Sequence, residues 1–91
     1  MEKAIGLLEV QAMVASIAGL DAMLKAANVE FIHVEKRLGG KLVTVVVEGS
    51  VSAVTAAVNA GIVAAGKVGK VKLHAVIPRP HPDIMKFLKT D

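Results

Sequence analysis

The chain has 91 residues, of which 54% are hydrophobic and 2% aromatic, and its formal net charge is +3 at neutral pH. This length predicts one small domain over residues 1–91, and so high an apolar share predicts surfaces that a partner must cover. The absence of cysteine excludes disulfides and thiolate chemistry, and the scarcity of stacking aromatics argues against nucleic acid as a partner.

The sequence predicts neither a signal peptide nor a transmembrane segment. Its first residues, MEKAIG, lack the basic and apolar regions of a signal peptide. No run approaches the ~20 apolar residues that span a bilayer. We therefore expect a soluble protein of the cytoplasm.

The first two predicted elements are a strand and a helix. Lys3–Val10 has apolar residues on both faces, which predicts a central strand, and Gly6 predicts a close approach by another element. Gln11–Asn28 is predicted as a helix that Asn28 caps. One apolar stripe of this helix holds Met13, Ile17, Leu20 and Leu24. The opposite side carries Ala15, Ala18, Ala22 and Ala26, which would let a neighbour pack closely.

A β-hairpin is predicted from Val29 to Glu48. Its second strand places β-branched side chains on one face, namely Val43, Val45 and Val47. A short basic loop, Lys36–Lys41, joins the strands, and its Gly-Gly pair permits the positive φ of a tight reversal. Three cations lie in this loop: Lys36, Arg37 and Lys41.

The second half of the chain repeats the helix–strand order. Ser50 is predicted to cap a helix that ends near Gly66 and Gly69. The apolar stripe of this helix is Val51, Val54, Val58 and Ile62. Lys70–Ile77 is predicted as a strand in which alternation puts Val71, Leu73, Ala75 and Ile77 on one face.

The C-terminal part begins with Pro78, Pro80 and Pro82, which predict a stiff extended segment. A short amphipathic helix is predicted over Asp83–Lys89. Its predicted anchors are Ile84, Phe87 and Leu88.

The element order βαββαβ plus a terminal helix predicts an α+β domain, a ferredoxin-like sandwich. Right-handed crossovers would place both long helices on the same face of a four-stranded sheet. The other face then needs the terminal helix or another subunit as a cover. Together with the apolar composition, this predicts an oligomer.

No pattern of catalytic or metal-binding residues is present. The three histidines, His33, His74 and His81, lack the spacing of metal ligands, and no serine lies in a nucleophile elbow. The carboxylates are dispersed singly, and Gly39-Gly40 lacks the rest of a phosphate-binding motif. The sequence therefore predicts no enzyme, no cofactor and no metal site.

Several segments resemble one known family. They are AIGLLEV, DAMLKAANV, VEKRLGGKLVTVVVEGSVSAV, AAVNAG, VGKVK and VIPRPH, in this order over almost the whole chain. On these motifs the chain is similar to the single-domain, hexamer-forming shell proteins of bacterial microcompartments. The resemblance implies flat cyclic homohexamers that tile edge to edge around cargo enzymes in the bacterial cytoplasm.

The resemblance also implies roles for particular residues. The loop around the sixfold pore corresponds to Lys36, Arg37, Leu38, Gly39, Gly40 and Lys41. Contacts at the hexamer edge correspond to Lys25, Asn28, Arg79 and His81. The implied partners are further copies of the chain, other shell proteins, enclosed enzymes and small metabolites in transit.

Six basic loops around one opening predict a preference for small anions, which Glu35 would partly offset if it points inward. The loop KRLGGK is one residue longer and more basic than the KIGSG typical of the family. Ser50 lies where the family often has Asp. His74 lies one position before the place where the family's pattern would put a histidine.

Two other functional classes are compatible with parts of the sequence. A ferredoxin-like regulatory oligomer could bind a phosphorylated effector at the basic loop. An RNA-binding domain has poor support because the chain has only two phenylalanines.

Overall fold

A computed structural model describes residues 3–89, with the backbone only for residues 87–89. The elements are β1 (Ala4–Gln11), α1 (Met13–Ala26), β2 (Glu30–Arg37), β3 (Leu42–Gly49), α2 (Val51–Gly66), β4 (Val71–Ile77) and α3 (Pro82–Lys89). A 3₁₀ turn, Leu38–Gly40, connects β2 to β3. The predicted element order is therefore confirmed, although β2 extends through Lys36 and Arg37, which were predicted as loop.

The four strands form one antiparallel sheet in the order β2-β3-β1-β4, which confirms the ferredoxin-like α+β prediction and the central place of β1. Gln11 of β1 lies opposite Leu42 of β3, beside the β2–β3 turn; we call this end of the sheet the loop end. Ala4 lies opposite Gly49 at the other end, where β4 leads into the prolines; we call it the proline end. The chain crosses the sheet from one end to the other with each strand and each of the two long helices.

Both long helices cover one face of the sheet, as the crossover rule predicts. The core beneath them is built mainly from valine and alanine. The predicted face of β3 is confirmed, since Val43, Val45 and Val47 are all buried there. The predicted close approach at Gly6 is confirmed too, because a Cβ on Gly6 would lie 2.7 Å from methyl groups of both Val54 and Val58 of α2.

Helix α1 buries only half of the predicted stripe: Met13 and Leu20 pack against the core, whereas the other two members turn outward. Ile17 is 61% exposed and Leu24 43% exposed. The buried residues of α1 are Ala15, Ser16, Gly19 and Met23. The reason is the close packing of α1 on α2, since a Cβ on Gly19 would lie 3.2 Å from the Cβ of Ala65. Small residues occupy the closest approach of the two backbones, and the larger Met23 is accommodated beside Gly61, where a Cβ would lie 2.8 Å from its Cγ.

Of the two predicted helix caps, one at the end of α1 and one at the start of α2, only the second is present. Asn28 does not cap α1, because the helix already ends at Ala26 and the next residue, Ala27, is extended. The prediction for α2 is confirmed: the backbone N–H of Ala53 donates to the Ser50 hydroxyl at 3.1 Å. Val51, predicted in the stripe of α2, is exposed, because it is the first residue of the helix.

The predicted alternation of β4 is wrong at its start. Val71 pairs with Val10 and Leu73 pairs with Glu9, so Lys72 is an extra residue in the ladder. Such a bulge moves the following side chains to the other face. Val71 therefore packs on the helix-covered core, whereas Leu73 lies on the opposite face of the sheet.

Helix α3 covers part of that opposite face. Among the side chains of α3 that the structure describes, Met85 packs against Ile5 and Val46, whereas the predicted anchor Ile84 is exposed. The side chains of the other two predicted anchors, Phe87 and Leu88, lie outside the described residues. The helix begins at Pro82, one residue earlier than predicted, because proline suits the first turn of a helix.

Candidate functional site: the pore loop and the assembly edge

The β2–β3 loop turns through three consecutive residues with positive φ. These angles are 55° at Leu38, 66° at Gly39 and 86° at Gly40, and the N–H of Lys41 closes the turn on the Leu38 carbonyl at 3.3 Å. A Cβ on either glycine would meet no atom within 4 Å. The glycines are therefore needed for their backbone conformation and not for space.

The three cations of the loop do not lie side by side. Lys36 is opposite Val43, whose side chain is buried under the helices, and Arg37 is opposite Leu42. Neighbouring residues of a strand project to opposite faces, so Lys36 and Arg37 flank the loop on two sides of the sheet. Lys41 follows the turn, and all three side chains are exposed.

The loop is attached to the start of α1. The N–H of Ala12 donates to the Lys41 carbonyl at 3.1 Å, and Ala12 has a φ of 79°. Between these segments lies an open pocket of about 430 Å³, lined by Gln11–Met13 and Gly39–Lys41. This bond ties the start of β3 to the β1–α1 junction and holds the loop at its end of the sheet.

The predicted edge residues all lie at the proline end. Lys25 lies in the last turn of α1 and Asn28 follows that helix, which runs towards the proline end. Arg79 and His81 follow β4, which finishes there. The topology thus separates the predicted pore residues from the predicted edge residues by the length of the sheet.

Two of the edge residues have local partners that sequence reasoning missed. The ammonium group of Lys25 lies 2.9 Å from the carboxylate of Asp21, one helical turn earlier. His81 starts α3: its Nδ1 accepts a hydrogen bond from the Asp83 N–H at 3.1 Å, and its carbonyl accepts from the N–H of Ile84 at 2.9 Å. Arg79 is exposed between two prolines. Asn28 is also exposed.

An ionic cluster at the proline end was also missed. Glu48 is 4% exposed, and Lys3 Nζ lies 3.7 Å from Glu48 Oε2 and 3.7 Å from Glu30 Oε1. Glu30 and Glu48 are direct cross-strand partners, which would repel each other without a cation between them. A pocket of about 250 Å³ next to this cluster is also lined by Asn28 and Ser50. The sequence feature that could have indicated this cluster is Glu48, a charged residue directly after a run of valines in a buried strand.

The face of the sheet opposite the helices carries paired polar side chains near the loop end. The Thr44 hydroxyl donates to Glu9 Oε2 at 2.9 Å, and His33 Nε2 lies 3.2 Å from Glu35 Oε1. Glu35 is thus next to a histidine on the strand that leads into the loop. In the described part of the chain, no three His, Cys, Asp or Glu side chains gather as metal ligands would.

Comparison with known proteins identifies the family. The family model described as the BMC domain matches residues 4–80. The chain is a member of the BMC domain family. It is 49% identical over 87 residues to the bacterial microcompartment shell protein PduA of Citrobacter freundii, covering 96% of this chain and 92% of that one. It is 45% identical over 82 residues to the shell protein EutM of Escherichia coli strain K12, covering 90% of this chain and 84% of that one.

A solved structure of a microcompartment protein from Desulfitobacterium hafniense DCB superposes on this fold with a TM-score of 0.85 at 31% sequence identity. The superposition covers 98% of this BMC-domain chain and 48% of the other chain, so this chain spans about half of that protein. The resemblance inferred from the sequence motifs is therefore confirmed, and so is the assignment to microcompartment shell proteins. Within residues 3–89, no helix has the length and apolar character to cross a membrane.

Proposed function

We propose that this shell protein forms cyclic homohexamers that tile edge to edge in the wall of a bacterial microcompartment, with Lys36–Lys41 around the sixfold axis. The observation that carries this proposal is the position of the loop and the edge residues at opposite ends of one sheet. A tile needs its pore residues at the centre and its contact residues at the rim. The chain offers both on a single small domain, residues 1–91.

Exposed apolar side chains support the assembly into rings. On α1 the outward residues are Val14, Ile17 and Leu24, and on α2 Val63 is also exposed. Large apolar side chains on the surface of so small a domain are typical of partner interfaces. The strands β2 and β4 are the edges of the sheet and offer two different surfaces, as a ring with head-to-tail contacts requires.

The seam between hexamers uses Lys25, Asn28, Arg79 and His81. Arg79 is held between two prolines, so little chain entropy is lost when its guanidinium donates to a neighbour. His81 contributes differently: by starting α3 it fixes the direction of the chain after Arg79. These contacts would join the chain to further copies of itself and to other shell proteins around cargo enzymes in the bacterial cytoplasm.

The pore of this hexamer passes small anionic metabolites. Eighteen loop cations, three from each of six copies, would surround one opening. Rings of like charge raise the local concentration of counter-ions and so favour anions. The chain itself has no catalytic role in this proposal, and it needs no cofactor.

The assembly can be tested by light scattering and electron microscopy of concentrated protein. We expect hexamers that form sheets or tubes with a hexagonal lattice. Lys25→Ala and Arg79→Ala should keep the hexamer but lose the lattice. Asp21→Ala is the matched control for Lys25, because it breaks the same ion pair within α1 yet leaves the cation in place. Monomers at high concentration, or discrete trimers that respond to nucleotide, would contradict the proposal, and the trimers would favour a regulatory oligomer.

A further inference from the structure

The tip of the β2–β3 loop presents one large apolar side chain to solvent. Leu38 is 73% exposed, and among the three residues of the 3₁₀ turn it alone has a side chain. Its φ of 55° lies in the left-handed region, which leucine rarely adopts and which glycine or asparagine tolerates better. A single copy gains nothing from this arrangement, because it combines backbone strain with an apolar group in water.

The neighbouring cations leave Leu38 uncovered. Lys36 and Arg37 lie on opposite faces of β2, and Lys41 follows the two glycines. The glycines have open space around them, so no side chain beside them shields the tip. In a ring of six copies with the tips at the axis, leucine side chains would therefore come together between cations on either side.

We propose that six Leu38 side chains form an apolar constriction in the pore, and that it selects short-chain monocarboxylates over strongly hydrated anions such as sulfate. This inference rests on the proposed hexamer with its loops at the axis. The cations of the loop concentrate both kinds of anion at the opening. The constriction then discriminates between them, because leucine offers no hydrogen bonds to replace the water that an ion must shed.

A monocarboxylate with an alkyl chain loses less hydration free energy in such a constriction than sulfate does. Its charge is single, and its methylene and methyl groups gain from contact with the leucine side chains. Sulfate carries two charges, and each of its oxygens needs a donor. The predicted order of permeation is therefore the reverse of the order expected from charge attraction alone, which would favour the dianion.

The left-handed backbone allows the side chain to be replaced without damage to the fold. Leu38→Gly removes the side chain, and Leu38→Asn replaces it with a polar one; both residues accept positive φ. We expect these variants to form hexamers with thermal stability equal to or above that of the unmodified chain. Leu38→Met is the matched control, because it keeps an apolar side chain of similar volume.

The test is the permeability ratio of propionate to sulfate, measured from reversal potentials of single hexamers in planar bilayers. Leu38→Gly and Leu38→Asn should each lower this ratio by about fourfold or more, the factor equivalent to one methylene group leaving an apolar environment. Leu38→Met should leave it unchanged. An unchanged ratio in both the Gly and Asn variants would overturn the constriction.

A second set of variants separates this inference from the function on which it rests. Lys36→Gln and Arg37→Gln should reduce the preference for anions over cations. They should raise the ratio of propionate to sulfate, the direction opposite to that of the Leu38 variants, because a dianion loses more attraction than a monoanion when a cation is removed. If they act in this way while the Leu38 variants have no effect, the pore stands and the apolar constriction is refuted. If scattering shows no hexamers, both fail together.

Discussion

The substitution Gly6→Ala tests how closely α2 lies on the sheet. Gly6 is in the middle of β1, the strand that contacts both neighbours in the sheet and both long helices. A Cβ there would lie 2.7 Å from Val54 Cγ1 and 2.7 Å from Val58 Cγ2. Carbon atoms without a bond between them prefer about 3.5–4.0 Å. Both valines are buried and β-branched on a helix, so their side chains cannot rotate away.

The size of the effect follows from two opposing terms. Forcing one methyl group into a packed core costs about 1–3 kcal/mol. Replacing glycine by alanine reduces the entropy of the unfolded chain, which returns about 0.4–1 kcal/mol. We therefore expect the free energy of unfolding to fall by about 1–2 kcal/mol, which for a domain of this size lowers the Tm by about 4–15 °C.

The assay is thermal and denaturant unfolding followed by circular dichroism, at one fixed protomer concentration because assembly contributes to stability. Gly66→Ala is the control. Gly66 is the last residue of α2, and a Cβ on it would meet no atom within 4 Å. This second variant should be as stable as the unmodified chain or slightly more stable. If Gly6→Ala matched Gly66→Ala, α2 would not lie as close to β1 as the structure has it.

Three further predictions concern the cap of α2, a cross-strand hydrogen bond and the loop. Ser50→Ala should lower the free energy of unfolding by about 1 kcal/mol, because the Ala53 N–H loses its acceptor; a Tm within error of the unmodified chain would contradict this cap. Thr44→Val should cost about 1 kcal/mol in the same assay, since it keeps the strand shape but removes the hydrogen bond to Glu9. Raising the ionic strength from 0.01 to 1 M shortens the Debye length from about 30 to about 3 Å, so the anion preference conferred by loop 36–41 should nearly disappear in reversal-potential measurements, and its persistence would refute an electrostatic origin.

The strands β1 and β3 and the order of the elements were predictable because they depend on the local pattern of apolar residues. Period-two valines in β3 and two-sided apolar residues in β1 each specify a central strand. Ser50 was predictable as a cap for the same reason, since its side chain bonds to a residue only three positions away. Such features depend on short stretches of sequence, and the fold hardly modifies them.

The buried faces of the helices were less predictable because the partner decides them. Hydrophobicity favoured the stripe of α1 through Ile17 and Leu24, but the contact with α2 selects for small volume, which places Gly19 inside. In β4 the bulge at Lys72 changes which side chains lie on each face of the sheet. No residue type in this strand indicates such an insertion. Both outcomes depend on contacts between elements distant in sequence.

In the candidate site, too, some features were predictable from the sequence and others depend on contacts between distant elements. The predicted pore and edge residues rest on motifs, and the structure adds where they lie relative to one another. The face that each loop cation occupies follows from strand register, and the sequence suggests it only if β2 is known to extend through Arg37. The Lys3–Glu48 pair joins residues 45 positions apart, which no local pattern connects.

The separation of the proposed pore loop from the proposed edge residues follows from the topology. Because all strand pairs are antiparallel and each helix returns the chain across the sheet, connections alternate between the two ends. The β1–α1, β2–β3 and α2–β4 connections therefore gather at the loop end. The α1–β2, β3–α2 and β4–α3 connections gather at the proline end, where Asn28, Ser50 and Arg79 lie. In the proposed ring, a longer or more basic β2–β3 loop would change the residues at the centre but would move none of the residues at the rim. We therefore expect the permeability of the proposed rings to vary independently of the contacts between tiles.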